Sequence, residues 1–153
     1  MSEKKSRQTR SDYLFFHELQ TRWKDNDIYG HVNNVEYYSY FDTAVAAFLV
    51  SRLGLYFKTN PVIAYVIETS CTYFAPLSFP DSIKVGVRIA KLGNSSVRYE
   101  LAIFKNDEDH ACAQGHFVHV YVDRASDKPA PIPDDVRFAM LSILTPAASA
   151  GSL

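Results

Sequence analysis

The stretch DNDIYGHVNN, residues 25–34, stands immediately before the one segment of the chain with sustained helical periodicity. From Asn33 the pattern N-x-x-E places Glu36 at the third helical position, a form of the capping box with Asn in the Ser/Thr place. Tyr37, Tyr40, Phe41, Ala44, Val45, Phe48 and Leu49 then recur at steps of three and four. Such spacing marks one wide apolar stripe on a helix, and Gly54 supplies a left-handed stop. The reading is a helix from Asn34 to Leu53, about 30 Å long.

Beyond Pro61 the period changes from helical to two. In SIKVGVRIA (82–90) Ile83, Val85, Val87 and Ile89 alternate with Lys84, Gly86, Arg88 and Ala90, and SSVRYELAIF (95–104) repeats the pattern. KLGN (91–94) reads as a turn between them, and KNDEDH (105–110) separates the second from ACAQGHFVHVYVD (111–123). These are hairpin signals. VIAYVIETSCTYF (62–74) is an earlier long strand, and YLFFHELQTRW (13–23) precedes the helix. A short C-terminal helix is expected from Asp134. Residues 1–12 and 145–153 read as frayed tails around a single domain, 13–144. One helix with so broad an aromatic stripe needs an extensive apolar surface against it, which a curved antiparallel sheet of about five strands supplies. The fold class is therefore α+β.

Sixteen Lys plus Arg against 17 Asp plus Glu give a formal charge of −1, without the basic footprint that phosphate-backbone binding requires. Nucleic acid is excluded as the expected partner. Cys71 and Cys112 lie in strand-like apolar contexts and match no metal spacing, so buried reduced thiols are expected. The longest apolar window, AVAAFLV at 44–50, is far short of the roughly 20 residues that span a bilayer. The opening MSEKKSRQTRSDY carries charge and no apolar core. These features give the expectation of a soluble, cytoplasmic chain without a membrane partner.

The strand, helix, four-strand order, with DNDIYGHVNN at its junction, resembles the hotdog fold and specifically the 4-hydroxybenzoyl-CoA thioesterase family. The resemblance covers about residues 13–144. Its most specific part is the D-x-D-x-x-G-H-V-N-N run, and SCTYFAPLSFPDSIKVGVRIAKLGNSS (70–96) is similar to the strands that follow in the family. The resemblance implies an acyl-CoA thioesterase in which Asp27, the second acid of D-x-D, is catalytic and the backbone amide of Asn34 polarises the thioester carbonyl. A similar HVNN segment in plant acyl-carrier-protein thioesterases implies a catalytic or positioning role for His31, although their intervening asparagine falls on Tyr29 here. Another hotdog branch carries its acid within the central helix. Asp42 is the nearest residue of that type, but it stands off the apolar stripe. The resemblance further implies a homodimer, often assembled into a homotetramer, with two clefts at the subunit interface. Its substrate would be a CoA or acyl-carrier-protein thioester, with no cofactor beyond the coenzyme A of the substrate.

The chemistry expected of these residues is simple. The first turn of a helix exposes unpaired N–H groups at the positive end of its dipole, so an amide near Asn34 suits a developing oxyanion. An ionised Asp27 would attack the thioester or align and deprotonate a water molecule, and the sequence leaves both open. Gly30 permits a backbone conformation or a close approach that a Cβ would obstruct. Val32 anchors the loop, and Tyr29 is placed to border an acyl channel. Ser95, Ser96 and Arg98, with Lys91 near, would contact coenzyme A phosphates, or else form a solvated hairpin. Asp25 is read as a loop hydrogen-bond partner and Glu68 as a solvent-facing step in its strand. His116 and His119, three apart on a strand, face opposite ways and cannot share a metal ion. No metal site is expected. Two other readings keep the fold: a non-catalytic acyl-thioester binding or regulatory module, and a 3-hydroxyacyl-thioester dehydratase.

Overall fold

The computed structural model describes residues 6–55 and 58–145. Its elements in chain order are β1 (Phe15–Gln20), α1 (Asn34–Leu53), β2 (Val62–Tyr73), β3 (Ser82–Leu92), β4 (Ser96–Lys105), β5 (Ala113–Asp123) and α2 (Asp134–Leu141). The five strands form one antiparallel sheet in the order β1-β3-β4-β5-β2. This is the hotdog fold, a curved sheet wrapped on one long helix.

The bounds of α1 follow from local chemistry. Asn33 is its N-cap, with the side-chain oxygen accepting from the Val35 amide at 3.2 Å. The Glu36 carboxylate turns to the Arg22 guanidinium, 3.6 Å away. Gly54 ends the helix at φ +69°, a region that favours glycine, and its N–H reaches the Val50 carbonyl. Tyr37, Tyr40, Phe41, Ala44, Val45 and Phe48 are its buried face. They pack on the inward residues of the sheet, among them Val85, Val87 and Ile89 of β3 and Leu101 and Ile103 of β4.

The opposite face of the sheet is covered more thinly. Tyr13 lies over Gly86, where an added Cβ would stand 2.7 Å from the tyrosine ring, so the glycine makes room for that lid. Arg88 stacks on Tyr13 at 4.8 Å and pairs with Glu100 at 2.8 Å.

The expectation of a frayed tail over 1–12 fails for its described part. Residues 6–12 run beside 109–114, with Arg7 Nε donating to the Ala111 carbonyl at 2.9 Å and Ala111 N–H donating to Gln8 O at 2.8 Å. Backbone groups there satisfy one another, which composition alone does not register. Residues 1–5 and 146–153 lie outside the described residues.

β2 is an edge strand, paired only with β5. Its register with β5 shifts between Val66 and Glu68, so Ile67 is an inserted residue, and Tyr65, Val66 and Ile67 are exposed. The helix-to-sheet core is dense, with Phe48 fully buried and edge-on to Phe15 at 5.3 Å. Phe48→Ala is expected to lower stability by about 3–5 kcal/mol, measured by urea unfolding.

Candidate active site

Two aspartates two residues apart in the stretch before α1 have opposite fates. Asp25 is completely buried. Its carboxylate accepts from the Tyr40 hydroxyl at 2.7 Å and the Arg22 backbone N–H at 2.9 Å, with the Arg22 guanidinium at 3.0 Å. Its own carbonyl accepts from the Asn33 N–H at 2.8 Å. Burial alone would raise its pKa, but the Tyr40 and Arg22 donors together outweigh that and hold it below the ordinary carboxylate value. Asp25 therefore ties the loop to the second turn of α1, in keeping with its reading as a loop partner.

Asp27 is half-buried and differently held. Its Oδ1 accepts from the Tyr29 N–H at 2.8 Å and the His31 N–H at 3.3 Å. Its backbone N–H donates to the His31 carbonyl at 2.7 Å, and its carbonyl accepts from Gly30 at 3.1 Å. One carboxylate oxygen is thus fixed by loop amides while Oδ2 has no hydrogen bond among the described residues. Gly30 makes this tight loop possible at φ +83°, and no atom lies within 4 Å of where its Cβ would stand, so conformation and not clearance calls for glycine there.

Residues 77–81 close the loop from outside. Val32, buried in the core, donates to the Leu77 carbonyl at 2.8 Å, Ser78 Oγ donates to the Gly30 carbonyl at 2.8 Å, and Asn26 Oδ1 accepts from Phe79 N–H at 3.1 Å. These partners carry no local signal in the stretch itself.

At the start of α1, Val35 N–H is capped by Asn33 and Glu36 N–H reaches the Asn33 carbonyl. The Asn34 amide has no acceptor among the described residues and remains at the positive end of the helix. It borders a groove lined by His31, Val32, Asn34, Tyr37 and Tyr73 to Pro76. Tyr73 stands edge-on to Tyr37 at 4.8 Å, and burial pushes the Tyr37 hydroxyl pKa up to about 12, so the hydroxyl stays neutral. Ile28 and Tyr29 are 92% and 78% exposed beside this groove.

The structure thus brings His31 and the Asn34 amide to one groove, with Asp27 and Gly30 on the adjoining loop. It does not bring Ser95, Ser96 and Arg98 there within one chain. β3 begins at Ser82, next to the loop partner Asp81, and runs about 36 Å before the turn that holds Ser95. Arg98 lies near Ser70, Glu100 and His116 on the other face of the sheet. Glu68 is solvent-facing but not idle: its carboxylate pairs with His116 Nε2 at 2.5 Å, and His116 Nδ1 meets Ser70 Oγ at 2.7 Å. His116 and His119 face opposite sides of β5, as alternation requires. Asp25 turns its carboxylate inward to Tyr40, away from Asp27. Among the described residues no three metal-ligating side chains converge, and no helix is long and apolar enough to cross a membrane.

A long helix in a five-stranded antiparallel wrap, with a held carboxylate and a free amide at its N-terminal end, defines a hotdog protein with an equipped cleft. The chain belongs to the thioesterase-like superfamily, whose profile matches residues 21–140. Its fold is close to that of the PA5185 protein of Pseudomonas aeruginosa, at 51% identity and TM-score 0.88 over 92% of this chain and 98% of that one. BH1999 gentisyl-coenzyme A thioesterase is 25% identical with TM-score 0.73, over 82% of this chain and 99% of its own. The 1,4-dihydroxy-2-naphthoyl-CoA thioesterase of Synechocystis, 21% identical, shares the fold at TM-score 0.77 over 86% of this chain and 98% of its own.

Tyr40→Phe removes a donor to a buried anion and is expected to cost about 1.5–3 kcal/mol at pH 7. Because the folded-state pKa of Asp25 is depressed, its stabilisation is present above the unfolded pKa and lost as pH falls through the folded value. The difference between Tyr40→Phe and the parent should therefore shrink below about pH 4, read from urea unfolding across pH.

Proposed function

We propose that the chain is an acyl-CoA thioesterase of the 4-hydroxybenzoyl-CoA thioesterase type. The observation that carries this reading is the pairing of Asp27, anchored through one oxygen with the other open, with an unspent Asn34 amide at the groove. A thioester carbonyl seated against that amide would have its developing negative charge met by the helix terminus. The open Asp27 oxygen would attack the carbonyl carbon to give a mixed anhydride, or take a proton from an attacking water. Thiolate leaves readily, so a strong general acid is not required. Gly30 and Tyr29 shape the approach, and His31, exposed beside Asn34, positions the thioester or its water.

The acting unit in this reading is a homodimer. β2 leaves a row of ladder groups and the side chains of Tyr65, Val66 and Ile67 uncovered, and pairing with an identical edge covers both. The neighbours that act on gentisyl-coenzyme A and on 1,4-dihydroxy-2-naphthoyl-CoA support CoA thioesters as the substrate class.

The test is thiol release from a panel of aliphatic and aromatic acyl-CoAs. Asp27→Asn is expected to keep substrate binding and lower turnover about 100- to 10,000-fold; unchanged turnover in that variant would remove Asp27 from the mechanism. Ile67→Lys is expected to shift the protein toward monomer in sedimentation velocity, with loss of turnover.

A further inference from the structure

A second cavity lies at the other end of the helix. It is about 310 Å³ and lies between Asp42, Val45, Ala46 and Leu49 of α1, Val62–Ala64 at the start of β2, and His119 and Tyr121 of β5. Its walls are mainly apolar, and its volume is at the lower end of the range for small-molecule sites. At about 30 Å³ for each water-sized unit, it accommodates on the order of ten non-hydrogen atoms.

One wall does not fit an ordinary core. His119 is only 7% exposed, yet neither ring nitrogen has a hydrogen-bond partner among the described residues, and the same is true of the Tyr99 hydroxyl. The Tyr99 and His119 rings stand edge-on at 5.2 Å. Buried polar groups are paired in the great majority of cases, because desolvation without a partner costs free energy. Burial favours the neutral imidazole, against the pull of Asp42 on the rim. A neutral imidazole offers one donor and one acceptor, which suits an uncharged hydroxyl.

The position of the cavity matters as much as its lining. Within one chain it is remote from the catalytic groove: the two share no lining residue, and Asp42 is about 12 Å along α1 from Asn34. Two β2 edges paired antiparallel about a two-fold reverse this relation. With the axis inside the exposed run from Ala64 to Thr69, the Tyr73 end of one strand lies beside the Val62–Ala64 end of the other. Tyr73 touches Tyr37 and reaches the Asn34 carbonyl at 3.4 Å, so it marks the catalytic end. Val62, Ile63 and Ala64 line the cavity. Each copy's groove thus faces the other copy's cavity.

We propose that the acyl group cleaved at Asp27 of one copy is held in this cavity of a second copy, where His119 selects acyl groups bearing an uncharged hydroxyl. The proposal rests on the thioesterase reading and adds to it a specificity-determining residue contributed across the dimer.

The experiment uses two variants of the full chain, Asp27→Asn and His119→Phe, co-expressed with different affinity tags and purified in tandem as the heterodimer. Matched substrates differ by one hydroxyl: octanoyl- against 8-hydroxyoctanoyl-CoA, and phenylacetyl- against 4-hydroxyphenylacetyl-CoA. The parent is expected to favour the hydroxylated member of at least one pair about tenfold or more in kcat/KM, and the His119→Phe homodimer to lose that preference. The heterodimer carries one site with Asp27 from one chain and His119 from the other. It should regain about half of the parental kcat with the parental preference. A heterodimer that keeps only the His119→Phe preference would overturn the proposal, as would failure to form a dimer or a His119→Phe homodimer with unchanged preference. His119→Gln, which keeps a donor and an acceptor, should retain part of the preference, and a variant matched to the parent in thermal unfolding separates specificity from misfolding. A parent inactive on every acyl-CoA would overturn the thioesterase reading itself, whereas an active parent with no heterodimer recovery overturns only this inference.

Discussion

The Asp25 carboxylate, buried between Arg22 and Tyr40, is the constraint on which the site depends. It fastens the loop before α1 to the second turn of that helix, and the Asp25 carbonyl fastens Asn33 at the cap. With both ends of the loop held, the residues between have little freedom, and the peptide from Asp27 to His31 closes on itself. The carboxylate that faces the groove is therefore oriented by one that never meets solvent. Two chemically identical side chains divide the work, one supplying rigidity and the other reactivity.

That division explains what the sequence could and could not reveal. The helix was readable to the residue, because an N-cap asparagine, an apolar stripe and a terminal glycine are local signals. The strands were readable within a few residues through their alternation. Which aspartate would be buried was not readable from spacing, since the answer lies in Tyr40, fifteen positions on, and in the segment from Leu77 to Asp81 that closes the loop from outside. Resemblance to a family singled out Asp27 where periodicity could not.

Pairing order was equally hidden. Local alternation identifies a strand but not its neighbours, so the placement of β2 at the edge emerged only with the sheet. Ser95, Ser96 and Arg98 show the same limit: a turn of suitable composition followed similar strands, yet the length of β3 carries it to the far end of the sheet. The orphaned ring of His119 had no signature, because an absent hydrogen bond is a property of packing.

The inserted residue in β2 gives that strand two reading frames. Val66 stands opposite His119 and Thr69 opposite Phe117, both on the helix side, so inward positions are even-numbered before Ile67 and odd-numbered after Glu68. Glu68 looked like an interruption because the count was carried straight through that step. The shift lets one continuous strand present Val62 and Ala64 to the cavity at one end and Cys71 and Tyr73 to the helix start at the other. In comparing related chains, a gap at 67 would therefore leave both halves facing as they do, whereas a gap elsewhere in the strand would turn one half outward.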